Sequence, residues 1–213
     1  MSQSPEHVRA CYDAVASEYA ERFDGELAHK PLDRELLDRF AEQVRDRGLV
    51  YDLGCGHGET TALLQNAGVQ IRGLDLSPLL LAEAARCHPD VEFIEGDMLA
   101  LPCADSSLAG VIAFYSIVHF GPTQLPQAIS EIHRVLKPGG CLLLSFHAGP
   151  GLVHVDEFLG KPVSLDFMFF PTGFIADLLS QTGFTGLEIH ERDPYPNVEY
   201  PSRRAYVFAT KTI

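Results

Sequence analysis

From residue 49 onward, apolar β-type runs alternate with amphipathic helical ones, which predicts an α/β fold: a mostly parallel sheet with helices on both faces. Two further observations complete the outline. Residues 4–47 read as helix ahead of the first strand, and the last two β-type runs follow one another with no helix between them. Strands joined that directly run antiparallel, so the sheet closes with a hairpin.

Ser4-Pro5 marks the first helix start, because serine accepts a bond from the open amides of a first turn and proline has no N–H to lose there. Tyr12, Val15, Tyr19 and Phe23 then recur at helical spacing, and a second helical stretch begins near Pro31. "LVYDLG", "VQIRGLDLS", "VEFIEGD", "LAGVIAFYSI" and "GGCLLLSFH" are β-type runs, with "ETTALLQNAG", "PLLLAEAARCH" and "QLPQAISEIHRVL" as helices among them. Gly68, Gly139 and Gly140 stand just past helix ends, where a left-handed cap is expected. After residue 148, "AGPGLVHVDEFLGKPVSLDFMFF" shows aromatics but no clean period and reads as a long loop, a feature that is usually functional inside a compact domain. A helix near 172–182 and the strands "FTGLEIHERD" and "RRAYVFATKT", joined by "PYPNVEYPS", complete the pattern.

With 213 residues and 46% hydrophobic content, the chain supports one substantial core, and a single domain over 1–213 is expected. The net charge of −13, from 16 Lys and Arg against 29 Asp and Glu, repels a phosphate backbone and argues against nucleic acid as a partner. No apolar run reaches the roughly 18 residues a membrane span needs, and "MSQSPEHVRA" has neither a basic segment nor an apolar signal core. A cytoplasmic protein, monomer or homodimer, is the expectation. Cys11, Cys55, Cys87, Cys103 and Cys141 are odd in number and widely spaced, which predicts reduced thiols and no zinc knuckle.

The stretch "DLGCGHGET" sets Gly54, Gly56 and Gly58 at alternate positions between a strand and a helix, on the turn where an open parallel sheet comes closest to its ligand. A dinucleotide fingerprint would want a third glycine where Glu59 stands, and no phosphate-loop pattern is present. The turn therefore favours a ligand without phosphates. Asp75 ends the second strand and Asp97 the third. A carboxylate at the first position can accept both hydroxyls of a ribose, and one at the second an amino group of an adenine edge.

"DLGCGHG", "GLDLS", "GDM" and "EIHRVLKPGG" resemble the successive motifs of the class I S-adenosylmethionine-dependent methyltransferases, and "YDAVASEYAERF" resembles the lid helix of their small-molecule branch. The match covers roughly residues 8–148. The resemblance implies a Rossmann-like, seven-stranded sheet whose last strand is antiparallel, with an N-terminal helical lid. It divides the chain into lid (1–47), cofactor-binding core (48–148), acceptor-covering segment (149–171), and terminal helix and hairpin (172–213). It implies S-adenosylmethionine as cofactor, with Asp52, Gly54, Cys55, Gly56 and Gly58 at the methionine end, Asp75 with Leu76 at the ribose, and Asp97 with Met98 at the adenine. Tyr19 and Tyr12 would close over it, and Phe114 and Tyr115 of the fourth strand would face the departing methyl group. Relatives that methylate adenine or glutamine amino groups carry Asn or Asp followed by Pro-Pro-aromatic on that strand, where this chain has "FYSIVHF". A small-molecule acceptor is the implied partner, with transfer to oxygen or nitrogen.

An oxygen acceptor must lose a proton, and His119, at the mouth of the fourth strand, is the candidate base, with His147 at the end of the fifth as the second. Packing or helix capping is the plainer role for His119. Tyr115, Glu199 and Arg204 are candidate acceptor contacts, although a surface ion pair is the simpler assignment for the last two. No histidine pair has the spacing of a helical zinc site and no carboxylate cluster suits magnesium, so no metal is expected. Two rival readings stand beside this one: a protein that binds S-adenosylmethionine without transferring its methyl group, and a nicotinamide oxidoreductase, against which Glu59 and the terminal hairpin both count.

Overall fold

Hydrophobic alternation along the strands builds two cores, one on each face of a seven-stranded sheet. The computed structural model describes residues 3–212. The strands are β1 (Val50–Leu53), β2 (Ile71–Asp75), β3 (Glu92–Glu95), β4 (Leu108–Phe114), β5 (Leu136–His147), β8 (Phe184–Arg192) and β9 (Arg204–Lys211), in the order β3-β2-β1-β4-β5-β9-β8. The first five pair in parallel, and β9 runs antiparallel to both β5 and β8. Strand order reverses on either side of β1, which opens a crevice at the carboxyl ends of β1 and β4.

Successive residues of a strand point to opposite faces. Val111 and Ala113 of β4, with Leu142 and Leu144 of β5, therefore pack with Ile129 and Ile132 of α5 (Gln124–Val135) and Leu179 of α6 (Thr172–Thr182). Ile112 and Leu143, between them in sequence, pack on the other face with Leu37, Phe40 and Val44 of α2 (Pro31–Val44) and Leu64 of α3 (Glu59–Asn66). Each such side chain contributes about 1.5–3 kcal/mol on burial.

The N-terminal helical region is two helices. In α1 (Pro5–Phe23) the Ser4 side chain accepts from His7 N–H and proline fills the first position, as the sequence predicts. Gly25, with φ 74°, breaks the run before a short 3-10 turn (Glu26–His29) leads into α2. Helix α1 packs against α4 (Pro78–Cys87) and β7 (Lys161–Phe169) rather than joining either core. Gly68 caps α3 with φ 86° as expected, but Gly139 and Gly140 are not helix caps: β5 follows α5 directly and holds both, Gly139 with φ 73° and Gly140 without a positive φ.

Residues 149–171 differ from the predicted loop. They form a second, two-stranded antiparallel sheet of β6 (Gly151–Phe158) and β7 (Lys161–Phe169). Leu159 and Gly160 connect them with φ of 53° and 78°, the paired left-handed residues of a tight hairpin turn whose twist matches that of its strands. The ladder shifts register between Val155 and Glu157, and that irregularity breaks the two-residue alternation that would have marked a strand in the sequence.

The long connection from β8 to β9 is held to the start of α2 by buried charges. Arg192 Nη2 donates to Asp33 Oδ2 at 2.7 Å and to Glu199 Oε2 at 3.2 Å. Glu199 Oε2 also lies 3.4 Å from Lys30 Nζ and 3.3 Å from Arg204 Nε. Glu199 and Arg204 are thus a buried group rather than the surface pair expected, because they pair with each other and with Lys30 and Arg192. Such clusters add little net stability but penalise the loss of any one member. Asp33→Ala strands Arg192 with one carboxylate fewer, and we expect it to cost about 3–5 kcal/mol. A urea midpoint within error of the parent would contradict this.

Candidate active site

The crevice at the sheet's carboxyl edge is a cavity of about 430 Å³, bounded by the turns after β1, β2 and β4, the end of β5, helix α1 and the β6–β7 hairpin. Its floor is the glycine turn. Gly54 and Gly56 adopt φ of 69° and 56°. A Cβ on Gly54 would overlap Ser116 Cβ, and one on Gly56 would sit 3.3 Å from the Tyr19 ring. Gly54 and Cys55 N–H both donate to Leu74 O, at 2.7 and 3.1 Å, which turns the chain back over β2. Gly58 serves packing instead: it does not border the cavity, and a Cβ there would press on Phe93 at 2.6 Å.

Asp75 ties this turn to the next one. Its Oδ2 accepts from Gly56 N–H and its Oδ1 from Ser77 N–H, both at 2.9 Å. Ser77 Oγ in turn donates to Asp13 Oδ1 at 2.6 Å and anchors the lid helix. Burial raises the Asp75 carboxyl against these lowering bonds, and each oxygen keeps lone-pair capacity for a ligand. Asp97 and Met98 border the cavity after β3, Leu76 after β2, and Asp97 Oδ1 accepts from Leu99 N–H at 2.8 Å.

Asp52 is buried at the end of β1, where Thr61 Oγ1 donates to its Oδ2 at 2.6 Å. Burial, reinforced by nearby Asp75, pushes its carboxyl up to about 7 against the Thr61 bond. Glu59, which also borders the cavity, is likewise pushed up to about 7 by burial.

Beyond the turn, Phe114 and Tyr115 border the cavity. Tyr115 stands at φ 56°, a left-handed conformation that costs a bulky residue about 1–3 kcal/mol. Its hydroxyl donates to Asp33 Oδ1 at 3.0 Å and bonds Tyr206 at 2.7 Å, with Lys30 Nζ 5.4 Å and the Arg204 guanidinium 5.5 Å from the ring centre. The buried charge cluster holds the strained residue in place.

Tyr12, Tyr19, His119 and His147 all border the cavity. His119 Nδ1 lies 2.8 Å from Asp166 O, so it carries the proton, and Nε2 accepts from the Tyr12 hydroxyl at 2.8 Å. Burial lowers its pKa to about 4, despite the Asp166 contact. His147 is lowered to about 3, first by burial and then by the charge of Arg204. Sequence analysis missed Lys30, Ser116 and the hairpin aromatics Phe158, Phe167 and Phe169, all on the cavity wall. Ser116 Oγ is buried without a hydrogen-bond partner among the described residues, directly against Gly54. No motif announces these residues. The crowding of aromatics in the segment after residue 148 was the one available sign.

Fold and site together describe an α/β protein that holds a nucleoside-bearing cofactor over a glycine turn. A family model described as a methyltransferase domain matches residues 50–140. An uncharacterized methyltransferase of Synechocystis sp. is 31% identical over 149 residues, covering 66% of this chain and 68% of that protein. The demethylmenaquinone methyltransferase of Chlorobaculum parvum is 40% identical over 93 residues, 43% of this chain, but the match spans only 38% of that relative's length. Among solved structures, the 1,6-didemethyltoxoflavin-N1-methyltransferase of Burkholderia thailandensis, with that compound and S-adenosylhomocysteine bound, superposes with a TM-score of 0.75 at 20% identity, covering 99% of this chain and 92% of that one. This chain belongs to the class I S-adenosylmethionine-dependent methyltransferases. The side-chain-free cradle at Gly54 and Gly56, the unpartnered Ser116 Oγ and the carboxylates at three strand ends fit that cofactor.

The raised carboxyls make binding pH-dependent. A carboxyl raised from its ordinary 3.8 to about 7 favours the folded state in its protonated form, so this contribution of Asp52 is lost as pH rises through that window. If Asp52 holds the methionine end of the cofactor, the ammonium group of S-adenosylhomocysteine would reverse the preference and expel a proton. At about pH 6, calorimetry in buffers of different ionisation enthalpy should show proton release on binding, and affinity should rise toward about pH 8. Asp52→Asn should reduce the release and leave the share of Glu59. Binding without proton release at any pH would contradict the assignment.

Proposed function

We propose that this chain transfers a methyl group from S-adenosylmethionine to the oxygen or nitrogen of a small acceptor, in the cytoplasm, as a monomer or homodimer. One observation carries the reading: one continuous cavity runs from the glycine turn and Asp75 to Tyr115, His119 and His147, beneath α1 and the β6–β7 hairpin. The bound cofactor supplies a methyl group already activated by its sulfonium. Asp75 would hold the ribose, Asp97 with Met98 the adenine, and Asp52 with the glycine turn the methionine end. The protein's main remaining task is to align the acceptor, and such positioning contributes up to about 7–11 kcal/mol. Val153, Val155 and the aromatics of β6–β7 wall off the acceptor side and exclude water. The free thiols suit a reducing compartment, and the charge of −13 opposes a nucleic-acid substrate.

His119 works through Tyr12 in this reading. Its basic nitrogen is covered by the Tyr12 hydroxyl, so a proton from the acceptor could reach it only by way of Tyr12. The pair also latches α1 to the turn after β4 and closes the site.

The decisive assay is S-adenosylhomocysteine formation with phenols, carboxylic acids and amines. Turnover with one of these classes is expected, and cofactor binding without turnover on any of them would favour the binding-only reading. On the substrate found, Tyr12→Phe and His119→Ala should each slow the reaction at least about tenfold, and the double variant no further, because both remove one latch. With His119 held near 4, turnover should show no imidazole step between about pH 6 and 8. A rise centred near the ordinary 6.5 would restore His119 as a direct base.

A further inference from the structure

His147 ends β5 and borders the cavity, its ring stacked on Phe169 of β7 with centroids 5.0 Å apart and planes 14° apart. Two groups converge on its Nδ1: Ser202 Oγ at 2.7 Å and Arg204 Nη1 at 3.0 Å. A guanidinium has only donors, and Arg204 Nη1 donates to Ser202 Oγ as well as to Ser202 O, which leaves the serine hydroxyl to donate its own proton to Nδ1. A proton on Nδ1 would instead face the guanidinium N–H groups, so Nδ1 offers its lone pair. The single proton of the neutral ring therefore sits on Nε2. That nitrogen bonds to no other group among the described residues.

The arrangement is rigid. Arg204 is itself buried and fixed by bonds to Ser202 O at 2.6 Å and Tyr200 O at 3.0 Å. The carboxylates around it are committed: Glu199 to Arg192, Lys30, Arg204 and the Tyr195 N–H, and Asp33 to Arg192 and Tyr115. What faces the cavity here is a donor, His147 Nε2–H, backed by the Arg204 guanidinium, while Lys30 is paired with Glu26 at 2.6 Å and with Glu199 at 3.4 Å. An ammonium group would meet repulsion and no uncommitted acceptor, whereas an anionic oxygen would meet a charge-assisted donor beside an aromatic slot.

We infer that His147 is a tautomer-locked hydrogen-bond donor that receives an anionic oxygen of the acceptor, so that the methyl acceptor is an oxygen acid, a phenolate or a carboxylate. This rests on the methyltransferase reading and narrows it from oxygen or nitrogen to oxygen. It also revises His147 from base to donor. With an oxyanion as nucleophile, its lone pair forms the new C–O bond while the pair of the broken C–S bond stays on sulfur. No proton moves in the transfer itself, which suits a site whose two histidines are both held neutral.

The test uses the full chain with S-adenosylhomocysteine bound, and 4-nitrophenol, benzoate and benzylamine as probes. Nitrogen-15 NMR of the wild-type imidazoles, assigned through the backbone, should show His147 protonated on Nε2 and bare on Nδ1, with Nε2–H shifting on addition of 4-nitrophenol. Visible absorbance should show bound 4-nitrophenol ionising about one pH unit lower than in water, a tenfold preference for its anion. Benzoate should bind at least about tenfold more tightly than benzylamine, and His147→Phe, which keeps the stack on Phe169, should abolish both preferences. With S-adenosylmethionine in place of S-adenosylhomocysteine, methylation of 4-nitrophenol alone would assign a phenolate acceptor, and of benzoate alone a carboxylate. Failure to bind S-adenosylhomocysteine would overturn the methyltransferase reading and this inference with it. With that ligand bound, a proton on Nδ1, unchanged ionisation of 4-nitrophenol, no binding of either anion, or benzylamine binding as tightly as benzoate would each overturn this inference alone.

Discussion

The Asp75 carboxylate is the joint on which the site depends. It accepts one amide from the turn after β1 and one from the turn after β2, and through Ser77 it reaches Asp13 on the lid helix. Two parallel strands, two helix starts and the cover of the cavity are thereby held by one half-buried side chain. Glycine at 54 and 56 is the condition for this joint, since a left-handed backbone without side chains is what brings the Gly56 amide to Asp75 while leaving space above it. Any ligand that bonds Asp75 reinforces both turns at once.

A second constraint acts from the opposite side. Asp33, Arg192, Glu199, Lys30 and Arg204 come from α2 and the terminal strand pair, and together they hold Tyr115 in a conformation it would not adopt alone. A sheet whose last strand inserts between β5 and β8 makes this meeting possible, because it carries the start of β9 to the carboxyl end of β5. The strain and the buried charges are concentrated at the cavity wall, where conformational uniqueness matters more than net stability.

Burial governs the protonation of the whole cavity. It moves carboxyls up and imidazoles down, so Asp52 and Glu59 sit near neutrality while His119 and His147 stay uncharged. The two histidines are distinguished by what holds their Nδ1. A carbonyl at His119 fixes the proton there and frees Nε2 as acceptor for Tyr12, whereas a guanidinium at His147 drives the proton to Nε2. Identical side chains thus present opposite hydrogen-bonding character to the same space.

The sequence by itself determined the layered sheet, the N-terminal helices, the glycine turn and the acids at three strand ends, because each rests on local periodicity or on spacing within a single turn. The glycines of "DLGCGHGET" and the acid of "GLDLS" fall on strand-end turns wherever a parallel sheet places them. The tertiary structure decided the rest. The β6–β7 hairpin escaped notice because a register shift erases its alternation, and Gly58 proved a packing residue because Phe93 lies against it across the fold. Glu199 and Arg204, far along the chain from Lys30 and Asp33, become a buried wall of the site only when β9 inserts beside β5. The character of each histidine likewise depends on partners distant in sequence, Asp166 and Tyr12 for one and Arg204 for the other. Hydrogen-bond partners and burial are properties of where chain segments meet, and no local pattern encodes them.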